Sequence, residues 1–265
     1  MKLSFSTLAV PDWKWTEIIS IAKDLGFDGI EIRGIGNEIY TPNVKIFDSE
    51  NIDKTINDLK STGLGISCLS SDCVFSLDNS KDYVKEAQEY IVLASKIGAR
   101  YIRVLGEKTT APGSEANDEI LIEKLKSIAS FAAPYGVNIL LETNGAYAKS
   151  ERALKIIEEV GSSNVGILWD VMHPYNNFNE PLAQTYEKLK PYISHIHIKD
   201  YVIENGKVKY KMLTKGTFPV KELVDILKEN KYDGYISLEW VKRWNSDLED
   251  AGIVFAQFVS TMRNL

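Results

Sequence analysis

Short apolar runs recur along this chain, and each is followed by a stretch with apolar residues at spacings of three and four. Eight runs read as strands, at residues 3–8, 29–33, 65–70, 101–105, 137–142, 165–170, 193–198 and 235–240. The stretch after the third run places Tyr83, Ala87, Tyr90, Ile91, Ala94 and Ile97 on one helical face and Lys81, Lys85, Glu86 and Glu89 on the other. Strands alternating with helices require parallel pairing through crossover connections, because a parallel neighbour cannot be reached by a tight turn. Eight such units in 265 residues fit an α/β fold of the closed (β/α)₈ barrel type, one domain over residues 1–265.

The connections differ by kind. Helix-to-strand turns are short and carry a glycine, as in Gly26-Phe27-Asp28 and Thr62-Gly63. Strand-to-helix loops are long, at residues 34–49, 71–80, 106–115 and 199–218. In a barrel these emerge at the C-terminal ends of the strands, where barrel enzymes carry their chemistry. Attention therefore falls on the residues that end the later strands: Glu142, Asp170, His197 and Glu239.

A glutamate after Ile139-Leu140-Leu141 cannot face an apolar helix layer, so it points inward or to the mouth. The same holds for Asp170 and Glu239. Three carboxylates and one imidazole on adjacent strands would then converge. Three uncompensated acids repel and are costly to desolvate, and a divalent cation resolves that conflict. Oxygen-rich ligation with one nitrogen suits Mn²⁺ first, with Mg²⁺, Co²⁺ and Zn²⁺ as alternatives. The three histidines of the chain, His173, His195 and His197, all lie in the two segments around Asp170 and His197.

Neighbouring residues have weaker claims. His195 is expected to be buried and hydrogen-bonded one layer below His197. Arg103 and Arg33 end strands, where a guanidinium either grips substrate oxygens or neutralises the acids. Lys199 is read as a holder of a substrate oxygen or as the ion partner of Asp200. Trp13, Trp15, Trp240 and Trp244 are candidates to wall a ligand pocket, although aromatic residues more often serve packing.

Composition narrows the function. The net charge of -6 argues against a nucleic-acid or anionic-membrane binder. Cys68 and Cys73 offer neither a disulfide framework nor zinc spacing and read as a buried residue and a loop thiol in a reducing compartment. The first residues lack the apolar core of a signal peptide, and no run approaches bilayer length, so the expected location is the cytoplasm. Homo-oligomerisation stays open.

The chain resembles the xylose isomerase-like barrel superfamily, in its sugar phosphate isomerase/epimerase branch. Four segments carry the resemblance: Leu140-Leu141-Glu142-Thr143-Asn144, Asp170-Val171-Met172-His173, His195-Ile196-His197-Ile198-Lys199-Asp200, and the final strand from Tyr232 to Trp240. The resemblance implies that Glu142, Asp170, His197 and Glu239 bind one divalent metal. It also implies that Glu142 and Glu239 exchange substrate protons and that His173 touches a substrate hydroxyl. Arg103, Lys199 and Arg33 complete the expected substrate contacts. The implied activity is isomerisation or epimerisation of a ketose or sugar phosphate. Dehydration of an inosose or a 3-dehydroshikimate-like ring is the alternative. Abasic-site cleavage, known in the superfamily, is disfavoured by the small number of histidines and the acidic charge. One departure stands out: the family's Gly-x-Gly before the seventh helix reads Thr214-Lys215-Gly216 here.

Overall fold

In the computed structural model, which describes residues 1–78, 81–113 and 116–265, every run read as a strand contains one. They are β1 (Lys2–Ser6), β2 (Gly29–Ile32), β3 (Gly65–Val74), β4 (Tyr101–Leu105), β5 (Asn138–Glu142), β6 (Val165–Asp170) and β7 (Ile193–Ile198). After β8 (Asp200–Glu204) and β9 (Lys207–Lys211) comes the last of the eight, β10 (Tyr235–Leu238). The eight strands form a closed barrel in the order β1-β10-β7-β6-β5-β4-β3-β2. Between and after them run α1 (Trp15–Leu25), α2 (Ile52–Thr62), α3 (Tyr83–Ile97), α4 (Asp118–Ala132), α5 (Ser150–Val160), α6 (Met172–Phe178), α7 (Leu182–Leu189), α8 (Val220–Glu229) and α9 (Ala251–Asn264). By contact density the chain divides into two compact units, one of Met1–Gly65 with His197–Leu265 and one of Ile66–Ile196.

In the first unit β1 pairs in parallel with β10, from Lys2 opposite Tyr235 to Phe5 opposite Leu238. It pairs with β2 from Ser4 opposite Gly29 to Ser6 opposite Glu31. Residues paired in register share a face, so Ser4, Ser6, Ser237 and Glu31 lie on one side and Phe5 on the other. Phe5 packs at 4.8 Å from Phe27 and 4.1 Å from Phe255 of α9, and Phe27 stacks on Phe258 at 5.9 Å. This aromatic layer binds the strands to the C-terminal helix. The opposite face carries small hydroxyl side chains, which leave room for the longer Glu31. The first strand ends before residue 8, because the Ser6 hydroxyl accepts the Leu8 N–H at 3.4 Å and starts a single helical turn at Thr7–Ala9. α1 stops at Gly26, whose φ of 74° is the left-handed conformation a helix end favours.

The 199–218 segment, expected as a loop, is a hairpin. β8 and β9 pair antiparallel from Asp200 opposite Lys211 to Glu204 opposite Lys207. Asn205 (φ 51°) and Gly206 (φ 71°) supply the two left-handed residues of its tight turn.

In the second unit β3 pairs with β4, β4 with β5 and β5 with β6. β3 runs past the expected end at residue 70, through an irregularity between Ser70 and Val74. The Ser71 hydroxyl donates to the Arg103 carbonyl at 2.7 Å and accepts the Cys73 N–H at 3.2 Å, which holds the extension. Cys73 is therefore a buried strand residue and not a loop thiol. The loops expected at 71–80 and 106–115 end on Ser80 and Glu115, which lie outside the described residues.

Candidate metal centre

Arg103 pairs with Leu140, and Glu142 pairs with Leu168. Side chains alternate along a strand, so Arg103, Glu142 and Asp170 share one face of the Ile66–Ile196 sheet. The contacts agree. Arg103 Nη1 lies 3.1 Å from Glu142 Oε2, with both side chains nearly withdrawn from solvent. Asp170 ends β6 fully buried. Its Oδ1 accepts the Met172 N–H at 3.0 Å, and its Oδ2 lies 3.3 Å from His173 Nε2. The three-residue spacing works because α6 begins at once and its first turn folds His173 back over the strand end.

The loops after β4 and β5 share another buried acid. Glu107 follows β4 and accepts the N–H groups of Gly113, at 3.1 Å, and of Ala146. Its carbonyl accepts from Asn144 Nδ2 at 2.7 Å. One glutamate thereby ties the loop after β4 to the loop after β5.

In the other unit, His197 lies near the end of β7 with no exposure to solvent. Its Nε2 stands 3.0 and 2.9 Å from the two oxygens of Glu31, and its Nδ1 stands 3.4 Å from Glu239 Oε1. The imidazole is thus held between two carboxylates. Lys199 donates to Glu239 Oε2. Its ion partner is therefore Glu239 and not Asp200. Asp200 instead accepts backbone N–H groups, from Tyr201 at 2.7 Å, Gly216 at 2.8 Å and Phe218 at 3.0 Å. Arg33, two residues beyond Glu31, is buried with its N–H on Thr7 Oγ1 at 2.8 Å. Arg243, after β10, donates to the Gly36 carbonyl at 2.7 Å, and burial beside Arg33 lowers its pKa.

Glu142, Asp170, His197 and Glu239 each offer one ligand atom within 4.8 Å of the other three, and all four residues are buried. Glu31, His195 and His197 form a second such group. The donor set of the first, three carboxylates and one imidazole, suits a divalent cation. A carboxylate carries two oxygens, so an ion pair at one does not prevent ligation through the other. Of the four tryptophans considered as pocket walls, Trp15 packs on Phe47 and Trp13 on Phe255, and Trp240 donates to the Glu249 carbonyl. These serve packing, whereas Trp244 is exposed.

A family model described as xylose isomerase-like TIM barrel matches residues 19–255. The chain belongs to the xylose isomerase-like TIM barrel family. Among relatives of this barrel, fructoselysine 3-epimerase of Escherichia coli O157:H7 is 22% identical over 242 residues, which is 85% of each chain. Two solved barrels superpose along nearly the whole length. The probable 3-DHS dehydratase AsbF from Bacillus anthracis has a TM-score of 0.83 at 21% identity, covering 100% of this chain and 99% of that one. The 3-keto-D-glucoside 4-epimerase YcjR from E. coli has a TM-score of 0.78 at 22% identity, with 100% of both chains covered. These likenesses establish the xylose isomerase-like fold. Among the described residues, no helix is long and apolar enough to cross a membrane.

Glu31 and Glu107 carry no strand-end signal in the sequence. Glu31 lies inside its strand rather than at the end, and the register with Ser6 is what assigns its face. Glu107 is a loop residue whose partners are backbone groups, which leave no side-chain pattern to read.

Proposed function

We propose that this protein is a divalent-metal-dependent epimerase or isomerase of a ketose or ketose phosphate. The observation that carries the reading is the mutual proximity of Glu142, Asp170, His197 and Glu239 in a buried setting. The likeness to fructoselysine 3-epimerase, over 85% of each chain, supports the same reaction class. These four residues would hold the ion, with Mn²⁺ the first candidate. When bound, the ion would draw charge from a substrate carbonyl and so acidify the neighbouring C–H.

The chain's own groups account for the rest. Glu142 and Glu239 come from different strands and approach the substrate from different sides. One removes the proton next to the carbonyl, and the other returns a proton to the opposite face, which inverts that carbon. Arg103 at Glu142 and Lys199 at Glu239 hold the two carboxylates in place, and both cations are the groups that would grip substrate oxygens. His173, held against Asp170, offers a ring nitrogen to a substrate hydroxyl. Arg33 supplies a further buried guanidinium.

The test is turnover of a panel of ketoses and ketose phosphates in deuterated water, by the Mn²⁺-loaded protein. One deuterium at the inverted carbon is expected, and Glu142→Gln and Glu239→Gln should each abolish turnover in folded protein. Inversion without solvent exchange would overturn the two-glutamate scheme. A product lighter by one water would instead assign a dehydratase.

A further inference from the structure

We propose that Glu31 is a positioning residue that fixes the tautomer of His197, so that Nδ1 and not Nε2 is the metal-ligating atom. This inference rests on the metal reading above. An ionised carboxylate can only accept hydrogen bonds, and both Glu31 oxygens lie within hydrogen-bond distance of the same ring nitrogen, at 3.0 and 2.9 Å. With Glu31 a carboxylate, Nε2 carries the proton of this contact. A ring that ligates a metal is neutral and has one N–H, so in the metal-binding form the lone pair belongs to Nδ1.

That lone pair faces Glu239 Oε1 at 3.4 Å, again an acceptor. Two acceptors face to face repel, and a cation bound by both relieves the repulsion. Nδ1 is the His197 nitrogen that faces Glu239 of the four-residue cluster, whereas Nε2 faces Glu31, of the Glu31, His195 and His197 cluster. A protonated Nε2 cannot ligate, so the second cluster is a hydrogen-bonded support and not a second metal site. The support is rigid: Glu31 is 1% exposed, and its strand pairs through Ser6 with β1. The hydroxyl-bearing neighbours Ser4, Ser6 and Ser237 leave the room that its side chain and the ring require.

The experiment uses protein labelled with ¹⁵N-histidine and loaded with Zn²⁺, a diamagnetic probe. The chain has three histidines, so the spectrum is small. The expected pattern for His197 is a protonated Nε2 and a metal-shifted Nδ1. In parallel, Zn²⁺ affinity is measured by competition with a chelating dye. Glu31→Gln should weaken binding by about 10–100-fold. Glu31→Asp, which keeps the charge but withdraws it by one methylene, should fall between the two. A wild-type spectrum with Nε2 on the metal overturns the proposal, as does unchanged affinity in a folded Glu31→Gln variant. If that variant does not fold, the wild-type spectrum decides alone. Folded wild-type protein that takes up no Zn²⁺, Mn²⁺ or Mg²⁺ overturns the metal reading and the inference with it.

Discussion

Lys199 donates to one oxygen of Glu239, and the other oxygen of that carboxylate stands 3.4 Å from His197 Nδ1. The lysine is almost fully buried, so its charge is matched inside the protein and not by water. Removing one partner of a buried ion pair leaves the other uncompensated, at roughly 3–5 kcal/mol. Lys199→Met, similar in length and uncharged, should lose that much stability in metal-free protein. Excess Mn²⁺ should restore part of it, because the cation would replace the lost positive charge. Urea unfolding with and without Mn²⁺ reads both quantities. A variant as stable as the parent would disprove the dependence of Glu239 on this lysine.

Metal removal makes a second prediction. The chain should take up about one divalent ion by elemental analysis after dialysis against Mn²⁺. A ligand that binds only the folded state stabilises it by about 2.7 kcal/mol when present at a hundred times its dissociation constant. Chelator-treated protein should therefore unfold at lower temperature than loaded protein, and Glu142→Gln or Asp170→Asn should narrow the gap. Equal melting curves in both states would argue against a site of useful affinity.

Thr214 is a β-branched residue at φ 64°, in the place where the family usually has the first glycine of Gly-x-Gly. Left-handed backbone costs a side-chain-bearing residue roughly 1–2 kcal/mol, whereas glycine in the unfolded chain costs roughly 0.5–1 kcal/mol in entropy. Thr214→Gly should thus stabilise the protein by up to about 1 kcal/mol. Gly216→Ala should do the opposite, since its new methyl would run into the Asp200 carboxylate and the Tyr201 carbonyl. A chevron or a denaturant midpoint for each variant checks the two signs.

Alkaline pH should weaken the fold. Burial raises the Cys73 thiol from 9.0 to about 12 and also raises the Tyr147, Tyr186 and Tyr235 hydroxyls above their usual value. In each case the folded state holds its proton longer than the unfolded chain. The stabilisation is complete below the unfolded value and is lost as pH rises through the folded one. For Cys73 this window is pH 9 to about 12, with a loss of at most about 1.4 kcal/mol per pH unit. Denaturant midpoints between neutral pH and pH 11 should fall accordingly. The thiol should also resist alkylation in native protein at pH 8 and react once urea is added.

The parts of this site that could be read in advance are those that end apolar runs. Glu142, Asp170, His197 and Glu239 each follow a buried apolar residue, so the pattern that marks the strands also marks their positions. Glu31 was hidden by that rule, because the run it sits in ends on Arg33. Lys199 was matched to its neighbour Asp200, yet successive residues on an extended chain point to opposite sides. Its partner lies 40 residues away, and only the folded barrel brings the two together. The hairpin within 199–218 carried a local signal, Asn205-Gly206 between alternating residues, that a search for barrel units passes over.

Asp200 binds the N–H of Tyr201 on one side of that hairpin and those of Gly216 and Phe218 on the other. A single carboxylate therefore clasps both ends of the excursion where it leaves and rejoins the barrel. Everything beyond the clasp is a cassette. Changes of length or charge at its tip are expected to stop at this clasp, leaving His197 and Lys199 where the barrel sets them.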